Sequence, residues 1–89
     1  MHKIYKYTLT HGGQSKIMMP AGALFIALKF RQSQLCFWAL VDPNAEKTER
    51  IFRTYQTGEE IINTPVSKKQ YLGSCITSKL TVHLFEITQ

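Results

Sequence analysis

The stretch from Leu35 to Asp42 constrains the fold of this chain more than any other. It is apolar at every position before the final Asp, and it contains the chain's only tryptophan, Trp38. A β-strand points alternate side chains to opposite faces, so a strand of this composition is apolar on both faces. The run from Leu24 to Phe30 is nearly as apolar. The sequence therefore predicts strands whose two faces are both packed against other parts of the protein or against a second chain.

Short strands separated by turn signals are predicted along the whole chain. Alternating side chains and β-forming residues predict strands over 2–9, 15–19, 24–31, 35–42, 50–57, 71–76 and 80–87. Turns are predicted at His11 to Gly13, at Gln32-Ser33 and at Asp42-Pro43, a loop over 59–70, and a bulge at Gly73. These connections are too short for helical crossovers, which predicts antiparallel pairing. We expect residues 1–89 to form one all-β domain, a small antiparallel sandwich or partly open barrel of six to seven strands.

The third and fourth predicted strands carry apolar residues on the face that should meet water. Strict alternation places five such side chains there: Phe25, Ala27, Cys36, Trp38 and Leu40. Soluble monomers rarely expose a patch of that size. We therefore expect a homo-oligomer, at least a dimer at micromolar concentration, with these strands at the interface.

The charge favours an anionic partner and the hydropathy argues against a membrane. Eleven Lys and Arg face six Asp and Glu, a net charge of +5. That excess suits a phosphate-bearing ligand or a nucleic acid. No apolar run approaches the ~18 residues of a membrane helix, and the N-terminal residues lack a signal-peptide core. We expect a cytoplasmic protein with no membrane partner.

Signatures of catalysis and of metal binding are absent from the sequence. It has no Gly-x-Ser-x-Gly elbow and no glycine-rich phosphate loop, and its histidines and cysteines lack metal-ligand spacing. His83, between two aliphatic residues, is interpreted as a packed or interface histidine. We expect no enzymatic activity, no metal and no cofactor.

A candidate ligand site centres on the predicted fifth strand, where Arg53, Tyr55 and Thr57 share a face. Arginine suits phosphate, an aromatic ring can stack on a base, and Thr next to Gly can complete an anion site. The predicted ligand-binding residues are Arg50, Arg53, Tyr55, Thr57, Gly58, Lys68, Lys69, Trp38 and His83. A seam between Trp38 and His83 is the expected second location. The competing interpretation is that the two arginines are solvated strand residues.

Several segments, in order along most of the chain, resemble a family of small, uncharacterised phage- and prophage-encoded proteins. The matching segments are Ile4-Tyr5-Lys6-Tyr7, Pro20-Ala21-Gly22-Ala23, Cys36 to Asp42, Arg50-Ile51-Phe52-Arg53, Thr57-Gly58, Tyr71-Leu72-Gly73 and Val82 to Glu86. The chain departs from the family pattern at Gln56 and Glu59, where members usually carry Gly and His.

The resemblance implies a phage origin, with no established activity. By analogy with other small phage proteins, we expect a non-enzymatic anti-defence protein that sequesters a nucleotide immune signal as an oligomer in the host cytoplasm. The signal would be a cyclic ADP-ribose isomer or a cyclic oligonucleotide. Two alternatives stay open: a protein-binding inhibitor or host-takeover factor, and a small single-stranded nucleic-acid-binding β-barrel.

Overall fold

The computed structural model describes residues 1–10, 13–61 and 68–88. Within these ranges the chain forms seven strands. They are β1 (Lys3–Leu9), β2 (Gln14–Pro20), β3 (Leu24–Arg31), β4 (Gln34–Val41), β5 (Lys47–Gln56), β6 (Lys69–Ile76) and β7 (Thr81–Ile87). The predicted turn at His11 to Gly13 and the predicted loop over 59–70 lie partly outside the described residues. The described part of the chain contains no helix with the length and apolar character that crossing a membrane takes.

The strands form two antiparallel sheets. One has three strands in the order β1-β4-β3, and the other has four in the order β2-β5-β7-β6. The sheets are not closed into a barrel, so the fold is a sandwich. The all-β antiparallel prediction is confirmed, and of the two architectures it left open, the structure takes the first.

The core lies between the sheets and is organised around Phe37 of β4, which is fully buried. Its ring contacts Tyr7 of β1 at 5.3 Å, Phe25 of β3 at 5.9 Å and Phe52 of β5 at 4.9 Å between centroids. Leu35, Ala39 and Val41 alternate with it on the same side of β4, each no more than 1% exposed. The even-numbered residues of β4 therefore point away from the core.

The turn between β3 and β4 lies at the predicted position. Gln32 and Ser33 have φ values of 51° and 63°, so both central residues are left-handed. That is the backbone of a type I′ turn, whose twist matches the flanking strands. Neither Gln nor Ser is favoured in this turn. The long apolar pairing of β3 with β4 therefore stabilises a turn that is unfavourable by itself.

A bulge in β3 interrupts the strict alternation of inner and outer side chains that the sequence predicts. The register with β4 shifts between Phe25 and Ala27, which leaves Ile26 as the extra residue. The prediction that Phe25 lies on the outer face is therefore wrong, since its ring packs against Phe37 in the core. A second shift, between Tyr71 and Gly73, confirms the predicted irregularity in β6.

Candidate functional site

The outer face of the three-stranded sheet carries the candidate site, which we call the Trp38 face. Cross-strand pairing aligns its side chains in rows. One row is Ile4, Leu40 and Leu24; the next is Lys6, Trp38 and Ala27; the third is Thr8, Cys36 and Lys29; the last is Gln34 and Arg31. Trp38 thus lies on the central strand, with one strand on each side.

The polarity of the Trp38 face changes along the strands. The first row is aliphatic, and Ile4 and Leu24 are 61% and 63% exposed. The far end carries the cations Lys29 and Arg31, and Lys6 lies beside Trp38 on the edge strand. None of the residues in these rows is acidic. The face therefore combines an aromatic ring, an aliphatic end and an uncompensated positive end.

A shallow groove runs over this face. It is open to solvent, has a volume of about 620 Å³ and is lined by Ile4, Ile26, Ala27, Lys29, Arg31 and Trp38. A smaller depression of about 170 Å³ continues it toward the positive end, lined by Lys6, Arg31, Gln32, Gln34 and Cys36. The groove has the volume of a small-molecule site. Its mixed lining suits a ligand with an aromatic part and an anionic part.

Arg50, a predicted ligand residue, is used inside the protein. It donates from Nε and Nη2 to the two carboxylate oxygens of Glu86, each at 2.7 Å, and from Nη1 to the carbonyl of Ala23 at 2.6 Å. The hydrogen bonds to Glu86 raise the pKa of Arg50, while burial opposes that rise. The pair joins β5 to β7 and ties both to the residue before β3. Arg50 therefore serves the fold and has few donors left for a ligand.

Arg53 and Tyr55 lie together, as predicted, on the outer face of the four-stranded sheet. The Arg53 guanidinium stacks over the Tyr55 ring at 4.8 Å and lies 3.7 Å from the carboxylate of Glu59. Gly58, with φ of 87°, completes the turn between them and Glu59. An anion approaching Arg53 would compete with that carboxylate.

His83 joins the same face through two hydroxyl groups. Its Nε2 lies 2.7 Å from Thr57 Oγ1, and its Nδ1 lies 2.9 Å from Tyr71 Oη. Tyr71 also packs edge-on against Phe85, with centroids 5.2 Å apart. Both ring nitrogens are already engaged, so His83 is held in place by hydrogen bonds within the sheet.

The remaining predicted residues are dispersed. Lys68 is exposed just before β6, and its carbonyl accepts a hydrogen bond from Thr88 N at 2.9 Å; Lys69 is the half-buried first residue of β6. Trp38 and His83 alternate with the core residues Phe37 and Leu84, so they point outward from opposite sheets. Trp38 and His83 therefore do not meet within one chain, and a seam between them would need two copies of the chain.

Sequence reasoning found Trp38 but missed its companions. Lys6 is brought beside it by the β1–β4 register, and Lys29 and Arg31 come from β3. The alternation of Lys29 and Arg31 was visible in the sequence. The pairing of the first strand with the fourth, which brings Lys6 to the site, was not.

Metal-ligating side chains do not gather within the described ranges: no group of three or more His, Cys, Asp or Glu is close enough to hold an ion. Cys36 and Cys75 are free thiols, and Cys36 is 3% exposed although it belongs to the Trp38 face. Burial raises the pKa of the Cys75 thiol. Neither sulfur is therefore prominent at the groove.

Comparison with known proteins gives one finding. A family model described as "Domain of unknown function (DUF7352)" matches residues 1–89. No curated protein and no solved structure matches the chain significantly.

Proposed function

This chain belongs to the DUF7352 family of domains of unknown function, and we propose from its own residues that it is a non-enzymatic nucleotide-binding protein. The Trp38 face is the binding surface. The base stacks on Trp38, and the phosphates lie against Lys6, Lys29 and Arg31. The observation that carries this proposal is the combination, on one outer face, of the only tryptophan with three cations and, among the paired residues of β1, β3 and β4 that form it, no acidic side chain.

The energies of the two contacts fit a nucleotide. Stacking of a base on an aromatic side chain contributes about 1–3 kcal/mol. A hydrogen bond to a charged group contributes about 1.5–3 kcal/mol. A ligand that has only a base or only a phosphate gains one of these terms, whereas a nucleotide gains both. The uncompensated positive charge also attracts an anion from a distance, an effect that salt screens.

The opposite outer face supports the proposal less well. Arg53 has Glu59 beside it, and both ring nitrogens of His83 are hydrogen-bonded within the sheet. A ligand there must displace existing contacts before it gains new ones. Lys6, Lys29 and Arg31 form no ion pair with any described residue, so a ligand on the Trp38 face does not have to displace such a contact.

We extend the proposal to sequestration of a nucleotide signal by a phage protein in the host cytoplasm. Its support is the resemblance to small phage- and prophage-encoded proteins and the make-up of the face. Among the described residues, those that line the groove include no carboxylate and no imidazole, the groups that most often serve as a general base. A bound nucleotide is therefore expected to be held without turnover, and it should be recovered intact after incubation.

Self-association is the second candidate, favoured by the exposed aliphatic row of Ile4, Leu40 and Leu24. Exposed aliphatic side chains on a sheet face are a common basis for association between copies of a chain. Light scattering that gives a dimer mass at micromolar protein, with no nucleotide binding, would favour this candidate.

Titration of Trp38 fluorescence with ATP tests the nucleotide proposal. Because the chain has one tryptophan, any quenching on binding reports the site itself. We expect saturable quenching, and we expect the double variant Lys29→Gln/Arg31→Gln to bind about a hundredfold more weakly or worse, since it loses two charge-assisted contacts.

Arg53→Gln is the matched control for that titration, because it removes a cation from the opposite face. It should bind as the parent does, and both variants should keep the parent's circular dichroism spectrum. Loss of affinity in Arg53→Gln, with the double variant unchanged, would move the site to the four-stranded sheet and refute the assignment.

A further inference from the structure

We propose that the preferred ligand of the Trp38 face is a single-stranded nucleic acid lying over the sheet, which the face binds more tightly than it binds a free mononucleotide. This inference rests on the proposed function and specifies its ligand. It is carried by the juxtaposition of Trp38 on the central strand with Lys6 on one edge strand and Lys29 and Arg31 on the other.

The Trp38 face is too open to enclose a small ligand. A typical pocket buries 70–90% or more of a drug-sized ligand. Here Ile4 and Ile26, which line the groove, are themselves 61% and 48% exposed. A mononucleotide on this face would keep much of its surface in water. A polymer gains the missing contacts from its neighbouring nucleotides.

The cations are spread too widely for one phosphate group. Lys6 and Lys29 lie on strands separated by β4, which puts their backbones roughly 10 Å apart across the sheet. For both to hold one phosphate, the two side chains would have to fold inward over the central strand. Lys6 lies in the row of Trp38, so its inward-folded side chain would cover part of the ring and hinder stacking of the base. A strand with several phosphates reaches the cations on both edges and leaves Trp38 free to stack.

The aliphatic row gives a second place for a base. Ile4, Leu40 and Leu24 lie one row beyond Trp38, about 7 Å along the strands. An aliphatic surface packs against the face of any base and selects weakly among them. We therefore expect binding that tolerates sequence and that prefers single strands, whose bases can leave their stack.

The test is a titration of Trp38 fluorescence with oligothymidylates from one to about ten residues, together with ATP. The face is about 24 Å long, so affinity should rise over the first few nucleotides and then level off. Three phosphate contacts on a single strand predict that the logarithm of the binding constant falls with the logarithm of salt concentration with a slope of about −2. Lys29→Gln should reduce that slope by about 0.7, and Arg53→Gln should leave it unchanged.

The other outcomes distinguish failure of the nucleotide-binding function from failure of the single-strand inference. If ATP binds as tightly as the longest oligothymidylate, the nucleotide function stands and the polymer inference fails. If neither ATP nor any oligomer quenches Trp38, both fail. If a duplex of the same length competes as well as the single strand, base stacking is excluded and the inference fails. Oligouridylates binding as oligothymidylates do would show that RNA and DNA are both accepted, as the inference expects.

Discussion

Phe37→Ala is expected to destabilise the protein by about 3–5 kcal/mol, the usual cost of emptying the site of a large buried aromatic side chain. Phe37 is fully buried and touches rings from three other strands. A domain of this size has a total stability of roughly 4–13 kcal/mol, so the variant should lose a large fraction of it.

Trp38→Ala is the matched control, because it removes an aromatic ring at the next position on the same strand. Trp38 points away from the core, so the loss should be about 1 kcal/mol, the scale of strand-propensity effects. Urea unfolding followed by circular dichroism compares the two, and Phe37→Leu gives an intermediate variant if Phe37→Ala does not fold. Equal losses for Phe37→Ala and Trp38→Ala would contradict the assignment of inner and outer faces.

Glu86→Ala is expected to cost about 2–4 kcal/mol, because it leaves the charge of Arg50 partly buried and without its main acceptor. The side chains of Arg50 and Glu86 are only 21% and 13% exposed, and two hydrogen bonds of 2.7 Å join them. The exposed contact between Arg53 and Glu59 is the comparison. Glu59→Ala should cost less than about 1 kcal/mol, as surface ion pairs do.

The double variant Arg50→Met/Glu86→Leu separates the cost of an orphaned charge from the value of the pair. Replacing a buried ion pair with apolar side chains is often neutral or stabilising. We expect the double variant to recover most of the stability that Glu86→Ala loses, in the same urea experiment. If the double variant is as unstable as Glu86→Ala, the geometry of the pair itself holds β5 and β7 to the start of β3.

Local patterns were enough to predict the strands, because each is a short alternating or apolar run bounded by turn residues. The hairpin at Gln32-Ser33 was placed by the two long apolar runs on either side of it. The reversal of Phe25 was not predictable from alternation, since a single extra residue at Ile26 inverts every side chain before it. One such bulge moved an aromatic ring from the expected outer face into the core.

The candidate site was harder to predict because it depends on pairing between distant strands. The sequence pattern predicts that Arg50 is available to bind a phosphate. Its hydrogen-bond partner Glu86 lies 36 positions away in the sequence, so local patterns do not reveal the pair. Trp38 was identified from its own strand, whereas Lys6 joins it only through the β1–β4 register. Individual side chains were therefore recognised more readily than the group they form.

The most direct test of the central claim, that the Trp38 face binds a nucleotide, is chemical-shift mapping on isotope-labelled protein titrated with a short oligothymidylate. At 10.2 kDa the chain is small enough for complete amide assignment. We predict that the shifted amides cluster on β1, β3 and β4, with the indole N–H of Trp38 among the largest changes. Shifts confined to the region of Arg53, Tyr55 and His83, or no shifts at saturating oligonucleotide, would contradict the account.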